Sequence, residues 1–110
     1  MASKFELKRA KTKQFYFNLL SSNGQVILMS EMYEVKASAI NGIKSVKKNA
    51  VVDERYDRLT SKSDKPYFVI KAGNHQVIGQ SQMYGSEDGR DNGIESVKKN
   101  APDAEIVDLS

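Results

Sequence analysis

Ser45-Val46-Lys47-Lys48-Asn49-Ala50 returns intact, 51 positions on, as Ser96-Val97-Lys98-Lys99-Asn100-Ala101. Outward from that block, the same displacement pairs residues 5–59 with 56–110 without a gap and gives identity at 21 of 55 positions. Tyr16-Phe17 recurs as Tyr67-Phe68, Gln25-Val26-Ile27 as Gln76-Val77-Ile78, Met32-Tyr33 as Met83-Tyr84 and Asn41-Gly42-Ile43 as Asn92-Gly93-Ile94. This is a tandem duplication. Asp53 to Leu59 both closes the first copy and opens the second, and no Pro/Gly/Ser-rich linker separates them. The chain therefore reads as a single pseudo-twofold domain of 110 residues, with repeat one at about 5–55 and repeat two at about 56–110.

Each copy predicts three strands, a helix and a closing strand. Phe5-Glu6-Leu7 alternates apolar with charged and corresponds to Tyr56–Thr60. Phe15–Leu19 sets Phe17 and Leu19 on one face and Tyr16 and Asn18 on the other, and Pro66 opens the matching Tyr67–Lys71. Asn23-Gly24 signals a two-residue hairpin in which both residues take positive φ, leading back into Val26–Ser30; the second copy has Asn74-His75 at that corner. Helices are predicted over Val35–Lys48 and Glu87–Lys99, the second N-capped by Ser86, with Glu87 and Asp88 favouring its positive end and paired lysines the negative end of both. Asn49 and Asn100 are expected to take the left-handed position that ends each helix. A β-like segment follows each, from Val51-Val52 and at Glu105-Ile106-Val107.

The duplicated hairpin, Ser81-Gln82-Met83-Tyr84, and the helix reading Gly93-Ile94-x-Ser96-Val97-Lys98 together resemble the YegP-like family of small uncharacterised bacterial proteins, over nearly the whole chain. The resemblance implies an α+β fold: two tandem β3-α-β repeats forming one antiparallel sheet, with exchanged C-terminal strands and two helices on one face. It also implies that single-copy relatives reach the same fold as dimers. Val35, where the second copy has Ser86, departs from the pattern. The resemblance brings no activity and no catalytic residues.

Composition narrows the chemistry. The absence of Cys excludes thiol catalysis and Cys-based metal sites, and one His leaves too few ligands for a metal; no cofactor is expected. Seventeen Lys and Arg against fourteen Asp and Glu leave a net charge of +3, well short of a dedicated nucleic-acid binder. The opening residues carry no apolar signal segment, so a cytoplasmic protein without membrane attachment is expected, and a monomer. His75 sits at a hairpin corner, and Ser30 and Ser81 have no base near them in sequence, so no enzyme is read here. Gly42 and Gly93 each cost roughly 1 kcal/mol inside a helix, which close packing of helix on sheet explains.

The candidate binding residues are Lys47, Lys48, Lys98 and Lys99, for phosphate or acidic partners, and Tyr16, Tyr67 and Lys71 on the open sheet face, for stacking single-stranded bases. Asn23, Gly24, Ser86 and the two helix glycines are assigned structural roles, and Met32-Tyr33 and Met83-Tyr84 are read as aromatic staples. The expected function is a non-enzymatic binding or stress-accessory module whose partner is unknown, a protein being one candidate; the alternative is weak nucleic-acid binding.

Overall fold

Short alternations of apolar and polar residues build strands with one covered face, and the computed structural model, which describes residues 3–110, places strands where those alternations lie. They are β1 (Lys4–Arg9), β2 (Phe15–Leu20), β3 (Val26–Met29), β4 (Tyr56–Thr60), β5 (Pro66–Lys71), β6 (Val77–Gln80) and β7 (Glu105–Asp108). Helices α1 (Lys36–Asn49) and α2 (Glu87–Asn100) follow the third strand of each copy. The seven strands form one sheet in the order β4-β5-β6-β3-β2-β1-β7. The copies meet at its centre, where Met29 pairs with Gln80.

The sheet is mixed rather than antiparallel throughout, because β7 runs parallel to β1. The cause is the path of α2. It begins over its own half, where Asp91 pairs with Arg58 of β4, and ends over the other half, where the Asn100 carbonyl accepts a hydrogen bond from Ser3 Oγ at 3.2 Å. From there the chain enters the outer edge of β1, heading the same way. The strand exchange runs in this direction only. By the repeat, residues 54–57 should flank β4 as residues 105–108 flank β1. Asp53–Arg55 instead form a 3-10 turn and Tyr56 already opens β4, so the strand expected from Val51-Val52 does not form.

Phe17 and Leu19 face the helices and are fully buried, with Phe5, Leu7, Leu28, Ile43, Val46, Phe68, Ile70, Ile94 and Val97. Side chains of this size each contribute about 1.5–3 kcal/mol when buried. Phe5 meets Phe17 edge-on at 5.8 Å, and Tyr56 meets Phe68 likewise at 5.8 Å, so the core repeats as the sequence does.

Two local expectations are corrected. Asn49 and Asn100 stay helical, and each Nδ2 donates back to the carbonyl of Ser45 or Ser96 at 2.8 Å; Ala50 and Ala101, in right-handed geometry, follow them. The preceding turn satisfies the amide better than a left-handed kink would. Nor is Asn23-Gly24 a two-residue turn. Gly24 N–H donates to Ser21 and Ser21 N–H to Gln25, which closes a three-residue loop with only Gly24 left-handed, at φ +83°. Lys13, Asp64 and His75 hold the equivalent position of the other three hairpins at φ 70°, 63° and 70°.

Candidate functional site

The residues singled out by sequence divide sharply once placed. Ser81 is fully buried, its Oγ accepting from Phe68 N–H at 3.0 Å and donating to the Gln82 carbonyl at 2.8 Å; Ser30 does the same with Phe17 and Glu31, at 2.8 Å each. These hydroxyls close the ends of β-ladders and have no proton to spare for catalysis. Ser86 accepts from Gly89 N–H at 3.0 Å and caps α2, whereas Val35 offers α1 no such bond. The Met-Tyr pairs explain the helix glycines. Tyr33 stacks on Phe17 and Tyr84 on Phe68, at 6.2 and 6.4 Å. A Cβ on Gly42 would lie 2.5 Å from the Tyr33 hydroxyl, and one on Gly93 only 2.7 Å from Tyr84 Cζ. Burial holds both phenols above their ordinary ionisation range.

The lysines and tyrosines do not converge. Tyr16 and Tyr67 lie on the face away from the helices that carry Lys47, Lys48, Lys98 and Lys99, and Lys71 is paired with Asp57 at 2.5 Å. Lys98 is spent within the fold: it pairs with Asp53 at 2.8 Å and Glu95 at 3.2 Å and lies over the Tyr56 ring. The hydrogen bond to Asp53 raises the Lys98 ammonium, and it leads the causes that lower the Asp53 carboxyl. Tyr56, pushed upward by burial, donates to the Ala50 carbonyl at 2.7 Å. Among the described residues no His/Cys/Asp/Glu group is arranged to hold a metal ion.

What the fold does assemble is a pair of like grooves, each walled by the helix of one copy and a hairpin of the other. One, of about 410 Å³, lies between α2 and the β2–β3 hairpin and includes Asn23, Gln25, Ile27, Asn92, Ser96 and Lys99. The other, of about 240 Å³, lies between α1 and the β5–β6 hairpin, with Asn41, Ser45, Asn74, Gln76 and Ile78 at the matching places. Asn23 and Asn74 are partly used: each Oδ1 accepts the N–H two residues on, from Gln25 at 3.2 Å and Gln76 at 3.0 Å. Ser45 and Ser96 accept from Asn49 and Asn100, at 3.2 and 3.1 Å. Gln25, Gln76, Asn41 and Asn92 are exposed, and each is the same residue in both copies. Packing accounts for repeated core residues; it does not account for these. Sequence reasoning passed over them because their identity in both copies means little until exposure is known, and no periodicity brings a helix of one copy to a hairpin of the other.

The family model described as a domain of unknown function, DUF1508, matches twice, at residues 10–57 and 61–108, again 51 apart. A UPF0339 protein of Acinetobacter baylyi is 56% identical over 110 residues, covering 100% of this chain and 99% of that protein. The UPF0339 protein YegP of Yersinia pestis is 50% identical, covering 96% of this chain and 95% of its own length. Two solution structures share the fold. The UPF0339 protein SO3888 from Shewanella oneidensis has a TM-score of 0.93 at 50% identity, covering 99% of this chain and 92% of that one. The protein of unknown function yegP from E. coli has a TM-score of 0.94 at 46% identity, covering 99% and 94%.

Proposed function

This chain belongs to the DUF1508 family, and on that premise we propose that it is a non-enzymatic, cytoplasmic binding module which, as a monomer, presents two like sites, one in each groove between a helix and the hairpin of the other copy. The observation that carries this reading is the repetition of exposed amides, Gln25 with Gln76 and Asn41 with Asn92, at the walls of both grooves. Exposed polar positions drift freely after a duplication unless something outside the fold uses them. The reading is tested by titrating a desalted, nuclease-treated extract of cellular small molecules into the isotope-labelled chain. Shifts should gather on the side-chain amides of Gln25, Asn41, Gln76 and Asn92 and on the backbone amides around them, and the backbone shifts should vanish in the fourfold alanine variant at those positions. Shifts confined to other surfaces would overturn it.

The rival reading, nucleic-acid binding through Tyr16 and Tyr67, meets the separation of those rings from the helix lysines. Single-stranded RNA and DNA should bind only weakly and with strong salt dependence, no tighter than the non-specific range of about 10⁻⁴ to 10⁻⁶ M at physiological salt. Tyr16→Ala/Tyr67→Ala should change this little. Sub-micromolar affinity lost in that double variant would put nucleic acid first.

A further inference from the structure

We propose that the two grooves differ in ligand: the one beneath α1 takes an oxyanion, a carboxylate or phosphate group, and the one beneath α2 does not. This rests on the two-groove reading and adds the chemistry of the ligand. Both grooves have a donor-rich frame. With their oxygens already engaged, Asn23 and Asn74 offer side-chain N–H groups and Ser45 and Ser96 offer O–H, while the exposed amides of Gln and Asn can donate as well as accept. Such a frame suits a ligand rich in acceptor oxygens.

The charge around the frame then separates the copies. Positions three, four and seven residues along a helix share a face, so Asn41, Lys44, Ser45 and Lys48 form one stripe of α1, and Asn92, Glu95, Ser96 and Lys99 the matching stripe of α2. Glu95 and Lys99 both line the α2 groove; Lys44 and Lys48 hold the matching places on α1, beside rather than among the residues that line its groove. The α1 stripe thus carries two cations and no acid, while the α2 stripe carries one cation, Lys99, and one acid, Glu95, which also pairs with Lys98 at 3.2 Å. The hairpin corners differ as well: His75 stands in sequence between Asn74 and Gln76, which line the α1 groove, where the other hairpin has Gly24 between Asn23 and Gln25.

The test titrates sodium phosphate, sodium acetate and, as a neutral control, glycerol into the labelled full-length chain at constant ionic strength. The side-chain amides of Asn41, Asn74 and Gln76 report one groove and those of Asn23, Gln25 and Asn92 the other. Both anions should saturate the α1 groove about fivefold more tightly than the α2 groove, the scale of one exposed charge contact; the tighter of the two distinguishes phosphate from carboxylate. Lys44→Glu should erase the difference by weakening the first groove, and Glu95→Lys should erase it by strengthening the second. Both positions are exposed, so the fold should survive either change. Equal anion affinity in the two grooves, indifference to both substitutions, or no saturable anion shift would overturn the assignment. Saturation by glycerol alone would remove the oxyanion and leave the two-site binding reading standing.

Discussion

β1 and β4 are the same strand written twice, yet one edge is covered and the other bare. β7 pairs along the outside of β1, and β1 keeps Phe5 and Leu7 fully buried. β4 ends the sheet, and in place of Leu7 it has Arg58, exposed and paired with Asp53 and Asp91, each at 3.4 Å. A bare edge invites pairing with other chains, and a charge held on it is a common defence. The residue at this place differs between the copies as the edges do: apolar where β7 covers the strand, charged where the sheet ends.

Separating the copies should break the comparison most severely. Residues 1–53 alone lose the sheet that the second half of α1 covers, and should be unfolded or dimeric by light scattering and circular dichroism; a stable, well-dispersed monomer would refute the interdependence of the halves. Removing residues 105–110 uncovers β1, which has apolar Leu7 on its helix-facing side where β4 has Arg58. The shortened chain should lose about 2 kcal/mol or more in urea unfolding, on the scale of one apolar side chain uncovered, and should associate at concentrations where the full chain does not. In the core the copies should respond alike: Gly93→Leu should cost about 1–3 kcal/mol by overpacking against Tyr84, against its helix-propensity gain of roughly 1 kcal/mol. Placing it on Tyr84→Ala should remove most of that penalty.

At the hairpin corners the copies should diverge. His75 holds a left-handed position that costs a residue with a Cβ about 1–2 kcal/mol, so His75→Gly should raise the unfolding free energy by about 1 kcal/mol and Gly24→His should lower it similarly. The smallest expected change is Arg58→Leu, within about 0.5 kcal/mol in stability as for most surface substitutions. Its signature should be self-association measured by sedimentation; a variant that associates no more than the parent would show that Arg58 is no guard.

The duplication was readable because identity at a fixed spacing survives in sequence, and with it came the strands, the Ser86 cap and the pairing of Phe17 and Leu19 on one face. The hairpin geometry was half readable. Gly24 announces positive φ, but Lys13, Asp64 and His75 reach it without a glycine, since the loop closures of their hairpins override their own preference. The roles of Gly42 and Gly93 were visible as a repeated cost; that the obstacle is a tyrosine from the neighbouring Met-Tyr pair was not.

By itself the sequence determined the unit, its number of copies and which side chains turn inward, because these depend on local period and on residues near one another along the chain. Where α2 ends, which edge β7 covers and what faces each helix were decided only by tertiary structure. The segment shared by the two copies can lie in one place alone, and the choice of place depends on contacts between residues as far apart as Ser3 and Asn100. The grooves belong to that second class, since each wall comes from a different copy.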